Sequence, residues 1–215
     1  MRKYVSELIG TFALVFCGTG AIIINQQTKG EVSHAGIAMT FGFIVMVMIY
    51  TLGNISGAHL NPAVTIAFTL AKKFRINQVS PYIISQLAGA ILASVVLKYL
   101  FPTNETLGAT LPAGTQLQSF ILEFILTFFL MFVIINVATG SKEQGIVAGL
   151  AIGSTVLLEA MFAGPISGAS MNPARSIAPA IISGHTENLW IYIVATITGA
   201  ALAIPVWTFL NNNKN

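Results

Sequence analysis

The sequence has no aspartate, a single cysteine and very little charge of either sign. Only 8% of its 215 residues are charged, where an ordinary soluble domain carries about 25%. A water-soluble enzyme or binding module is set aside on that ground. The lone Cys17 makes no intramolecular disulfide and no Cys-rich metal site. His34, His59 and His185 fall in separate connections between apolar runs, so the convergent His, Asp and Glu of a hydrolytic centre are missing. The ten basic residues outnumber the seven acidic ones, but they are scattered and make no basic face for nucleic acid. No metal, cofactor or nucleic acid is expected.

What is present is apolar: 55% of the residues are hydrophobic and the mean hydropathy is +0.80. Six stretches run approximately from Tyr4 to Ile24, His34 to Leu52, Pro81 to Leu100, Ser119 to Thr139, Gly145 to Ala163 and Leu189 to Leu210. Each is close to the ~20 residues that a helix needs to cross a bilayer. Arg2 and Lys3 ahead of the first run suggest a secretory leader, but Glu7 interrupts the run and the bulky Phe16 suits no cleavage site. A retained first helix is expected. If the stretches alternate, Arg2, Lys3, Lys72, Lys73, Arg75, Lys142 and Lys214 share one face, against Lys29, Lys98 and Arg175 on the other. The positive-inside rule then puts both termini in the cytoplasm. The short tails, with no targeting extension, suit a bacterial inner membrane. The small-residue runs Ala88-Gly89-Ala90 and Gly199-Ala200-Ala201 read as helix interfaces.

Two further stretches are too apolar for loops and too short to span. Residues 55–67 and 166–178 align at a constant offset of 111, with nine of thirteen positions identical. Glu7 answers Glu123, and Ala35-Gly36-Ile37-Ala38 answers Ala148-Gly149-Leu150-Ala151. The chain reads as a tandem duplication, residues 1–110 and 111–215, within one integral membrane domain. Each half supplies three spans, an odd number, so the second enters from the opposite face. Such inverted repeats place their site at the midplane.

In both copies the order Asn-Pro predicts a helix start: Asn caps free N–H groups and Pro takes the first position, where no donor is needed. Half-helices are expected over 61–70 and 172–182, about 15 Å long at 1.5 Å per residue. Entering from opposite faces, they meet near the centre and aim two positive dipole ends at one point. The non-helical backbone ahead of them at Gly57, Ala58, His59, Gly168 and Ser170 is tolerated at that depth only if it lines a polar path. There the Asn61 and Asn172 amides can donate to a passing oxygen, while the dipoles oppose cations and protons. Arg175, which replaces Val64 of the first copy, should face a watery cavity or an acidic partner rather than lipid. As a counterion it needs a nearby carboxylate; as a filter it offers fixed donors to neutral solutes and repels cations. The repeat favours the filter.

These boxes, Asn61-Pro62-Ala63 and Asn172-Pro173-Ala174-Arg175, resemble the aquaporin or major intrinsic protein family over essentially the whole chain. The resemblance implies an all-α membrane protein with six spans and two re-entrant half-helices. It also implies a homotetramer in the lipid bilayer, with one pore per subunit passing water or small neutral solutes. Glu7 and Glu123 become buried braces of the re-entrant loops, and Phe41, Ala160, Ala169 and Arg175 the filter. Strict water channels usually have His where Ala160 stands, so a wider, more apolar filter is implied. The glycerol-facilitator branch usually has Asp where Ser176 stands, and longer loops. The strings at 44–50 and 164–171 look like the plant nodulin-like branch, which passes glycerol and metalloid acids as well as water. A strict water channel, a secondary transporter on an inverted repeat, and a structural junction protein are the alternatives. His59 reads as a neutral pore-lining residue bonded to backbone, with a pH-sensing gate the second reading. Glu159 is left open between snorkelling, pairing with a neighbouring helix and tuning the outer mouth. Cys17, on the first span, implies weak mercurial inhibition.

Overall fold

The computed structural model describes residues 1–211, with positions 143 and 144 as backbone alone. Lys214, one of the cations that assign the orientation, lies outside the described residues. Long helices form over α1 (Arg2–Gln27), α2 (Ser33–Ser56), α4 (Val79–Leu100), α5 (Gln116–Thr139), α7 (Ala148–Ser167) and α9 (Leu189–Asn211). Among the described residues these are the six that, with a one-turn extension ahead of α4, are long and apolar enough to cross a membrane. Two short helices, α3 (Pro62–Leu70) and α8 (Pro173–Ser183), occupy the duplicated stretches, and α6 (Lys142–Ile146) is a single turn. No strand forms among the described residues.

The long helices pack as α1 on α4 and α2, α5 on α9 and α7, and α2 on α7. The short ones cross over: α3 lies against α9 as well as α4, and α8 against α4 as well as α9. Small residues decide how closely the pairs approach. A Cβ on Gly89 would sit 2.2 Å from the Leu8 carbonyl oxygen, and one on Gly199 2.2 Å from that of Phe124. Both contacts are with backbone, so no side chain can swing away. We expect Gly89→Ala or Gly199→Ala to force the α1–α4 or α5–α9 pair apart, at a cost of about 1–3 kcal/mol or more. Gly53→Ala, where a Cβ meets nothing within 4 Å, should leave stability unchanged or slightly raised. Thermal unfolding of the three variants in detergent decides it; equal melting of Gly89→Ala and Gly53→Ala would refute the close-approach argument.

Two spans differ from the expected boundaries for physical reasons. The stretch expected from Gly145 to Ala163 splits, because 142–146 forms α6 and α7 runs on to Ser167, straight through Pro165. Helix α2 continues four residues past Leu52 to Ser56, through Gly53 and Asn54. Those two line an internal cavity, so their polarity is not a stop signal. Both helices end on a left-handed glycine, Gly57 (φ 86°) and Gly168 (φ 87°), which terminates a helix without a Cβ penalty.

Candidate functional site

Helices α3 and α8 meet N-terminus to N-terminus. Asn61 has extended backbone, and its Oδ1 accepts from the Ala63 N–H at 2.9 Å. Asn172 does the same for Ala174 at 2.9 Å and for Arg175 at 3.4 Å. Each amide also reaches across: Asn61 Nδ2 donates to the Met171 carbonyl at 2.7 Å, and Asn172 Nδ2 to the Leu60 carbonyl at 2.8 Å. One N–H of each amide is thus committed to the opposite loop, and one remains for the lumen. Sequence reasoning anticipated the caps but not this exchange, because a cross-loop partner leaves no local signature.

The loops ahead of the caps are strained. Ala58 (φ 46°), Leu60 (φ 51°), Ala169 (φ 41°) and Met171 (φ 53°) are all left-handed, a conformation costing about 1–3 kcal/mol at a non-glycine residue. Two fully buried carboxylates hold them. Glu7 accepts from the backbone N–H of His59 at 2.9 Å and of Leu60 at 2.7 Å, and from Gln86 Nε2 at 2.8 Å. Glu123 accepts from Ser170 and Met171 N–H, both at 2.9 Å, and from the Ser167 hydroxyl at 2.7 Å. Tyr82 and Tyr192 hydroxyls donate to the last carbonyls of α2 and α7, Ser56 O at 2.8 Å and Ser167 O at 2.7 Å. Those tyrosines were missed, although their spacing of 110 nearly matches the repeat offset and could have flagged them.

A cavity of about 730 Å³ runs from Lys142, Gly145 and Ile146, on the face where α1 begins, past both asparagines to Phe41, Ala169 and Arg175. Leu14, Val45, Val64, Leu130, Ile134, Ile152 and Val156 give it apolar walls. Gly57, Ala58, His59 and Ser170 line it; Gly168 does not and lies against Thr110 instead. Of the four positions expected to form a filter, Phe41, Ala169 and Arg175 reach this cavity, whereas Ala160 is buried in the core and is not among the lining residues.

Arg175 is 1% exposed. Its Nη1 donates to the Gly108 carbonyl at 2.7 Å, and its guanidinium carbon lies 5.0 Å from the centre of the Phe41 ring. The loop over 101–115 is therefore part of the site. Asn104 ties it to α1 through Gln26 and accepts from the Leu107 N–H, Leu107 is fully buried, and Thr110 donates to Ser176. None of this was legible, since the loop carries no motif of its own.

His59 departs from its expected backbone bond. Its Nδ1 is 3.1 Å from Thr65 Oγ1, which already donates to the Asn61 carbonyl and accepts from Gln86. With that hydroxyl proton committed, Nδ1 is the donor. The ring stacks on Phe68 at 4.8 Å. Among the described residues the buried Oε2 of Glu159 has no hydrogen-bond partner. Among the described residues no His, Cys, Asp or Glu cluster could hold a metal ion.

The model of the major intrinsic protein family matches residues 1–207. The chain is 50% identical over 201 residues to Aquaporin NIP1-1 of Oryza sativa subsp. japonica, covering 93% of this chain and 71% of that one. It is 48% identical over 211 residues to Nodulin-26 of Glycine max, covering 98% and 78%. A solved structure, that of the aquaglyceroporin from Plasmodium falciparum, superposes with a TM-score of 0.85 over 96% of this chain and 94% of that one. At 24% identity that likeness speaks for the fold alone. The expectation of a bacterial inner membrane is corrected: the relatives are plant proteins and point to a plant origin, and short tails carry no information about the host. The multi-pass membrane character stands. With a match running across nearly the whole length, relatives near half identity and a shared arrangement of helices, the chain belongs to the major intrinsic protein family.

Proposed function

We propose that the protein is a passive transmembrane channel for water and small uncharged solutes, glycerol and metalloid acids among them, that excludes ions and protons. One observation carries the reading: two helix N-termini meet across a single cavity, each capped by an asparagine that keeps one N–H for the lumen. A solute oxygen is stabilised there, while a cation meets two positive dipole ends. Arg175, Phe41 and the small Ala169 act as the filter, and Ala160, packed in the core beside it, leaves it wider than a histidine at that position would. Glu7 and Glu123 act as braces. The two halves, 1–110 and 111–215, act as an inverted repeat, and the subunits assemble as a homotetramer on the family likeness. No catalytic role is assigned to any residue.

Stopped-flow light scattering on proteoliposomes, with water, glycerol and boric acid and with a proton gradient imposed, tests the reading. Rapid flux of all three that is indifferent to the gradient is expected. Water flux without glycerol or boric acid would mark a strict water channel. Gradient-dependent accumulation would mark a transporter, and absence of flux a structural protein.

A further inference from the structure

Helices α2 and α7 carry Phe41 and Ala160, two of the four filter positions in the proposed channel, and the role assigned below to His34 rests on that channel function. These helices are joined at three levels. In the middle, Gly42 and Gly153 face each other so closely that a Cβ on either would lie 2.6 Å from the other's carbonyl oxygen. At the end nearer the α7 N-terminus, the Tyr50 ring lies where a Cβ on Gly149 would be 2.8 Å away, and its hydroxyl accepts from the Leu150 N–H at 3.1 Å. That N–H is in the first turn of α7, where the helix supplies no acceptor.

The third level lies beside the filter. Pro165 has no N–H, so it leaves the carbonyl of Met161, four residues earlier, without its helical donor. His34 Nε2 lies 2.7 Å from that carbonyl oxygen. A carbonyl only accepts, so Nε2 carries the proton and donates. The ring has room because residue 164 is glycine: a Cβ there would lie 2.8 Å from His34 Cε1. Proline, glycine and histidine thus form one joint, and the carbonyl it holds belongs to the residue next to Ala160.

We propose that His34 is a positioning residue that sets the filter aperture by locking the far end of α7 onto α2. With alanine at 160, packed beside the cavity rather than lining it, no side chain from this turn defines the width, so the width follows the α7 backbone itself. Ala160 lies seven residues beyond Gly153, about 10 Å along the helix axis. With His34 removed, the far end of α7 is free to move off α2 beyond the central glycine contact, carrying the turn from Val156, which lines the cavity, to Ala160, which packs beside it. The Tyr50 joint, on the other side of that contact, holds the near end of α7 and does not replace the bond at Met161.

The test compares wild type, His34→Ala and His34→Gln in proteoliposomes, reading erythritol permeability relative to glycerol, with water flux and the melting temperature as controls. His34→Ala should raise the erythritol-to-glycerol ratio about ten-fold, the discrimination that a gap of one methylene carries, while melting stays near wild type. His34→Gln should return the ratio towards wild type, since its amide can donate to the same carbonyl. An unchanged ratio in His34→Ala, a His34→Gln variant that behaves like His34→Ala, or a uniform fall of all fluxes overturns the proposal. Should wild type pass water alone, the wide-filter reading fails by itself, and glycerol flux gained by His34→Ala still decides the role of His34.

Discussion

Glu123→Leu is expected to abolish folding or to lower the melting temperature by more than about 10 °C. The substitution keeps the volume and removes every acceptor at the second loop. Two backbone N–H groups, of Ser170 and Met171, and the Ser167 hydroxyl lose their partner together. Leaving a buried donor unpaired costs about 1–3 kcal/mol, so three amount to roughly 5 kcal/mol, a large share of the ~5–15 kcal/mol that a folded protein has. At about 2–4 °C per kcal/mol for a chain of this size, that gives the stated shift. The left-handed Ala169 and Met171 add to it, for their backbone then keeps only the Ala169 N–H bond to the Ser167 hydroxyl and the Asn61 amide on the Met171 carbonyl. Glu123→Gln separates the terms. Its carbonyl can still accept from Ser170 and Ser167, but its NH₂ group meets the Met171 N–H donor to donor, so an intermediate loss is expected. Melting in detergent, followed by water flux of whatever reconstitutes, reads both. Glu123→Leu with wild-type melting and flux would show that the carboxylate does not brace the loop.

The parts of this molecule that were legible in its sequence are those written locally or written twice. Apolar runs of bilayer length announce the long helices, and Asn-Pro announces α3 and α8, because capping is decided within three residues. The duplication brought Glu7 and Glu123 forward as a pair before any contact was known. Other features depend on residues far apart in the chain. The span expected to end at Ala163 runs on through Pro165, where His34, 131 positions earlier in the chain, holds the carbonyl that the proline leaves free. His59 was expected on backbone, whereas Thr65, one turn into α3, already presents an acceptor. The loop over 101–115 has no periodicity or repeat partner, yet it supplies the carbonyl that fixes Arg175. A backbone oxygen has no residue type to read, so only the folded chain reveals which one is used.

Arg175→Ala should produce a cation leak with faster passage of larger neutral solutes, and comparison with Arg175→Lys separates charge from geometry. A monovalent cation 5 Å from a guanidinium is opposed by roughly 3 kcal/mol at an effective dielectric constant of about 20, more than 100-fold in rate. Loss of the side chain removes that barrier and also the body of the side chain that lies against Phe41. The two helix N-termini at Asn61 and Asn172 remain, so exclusion is weakened rather than abolished. Lysine keeps the charge, but a single ammonium on a flexible stem cannot both hold the Gly108 carbonyl and lie flat against the Phe41 ring. Arg175→Lys is therefore expected to retain most of the cation barrier while losing discrimination among neutral solutes. Proton and potassium leak through reconstituted vesicles, set beside glycerol and erythritol flux, reads the two properties independently. If Arg175→Ala excludes cations as well as wild type does, the helix dipoles carry the barrier alone and Arg175 serves only to shape the opening. If Arg175→Lys matches wild type in both, the contacts with Gly108 and Phe41 are not what fixes the selectivity.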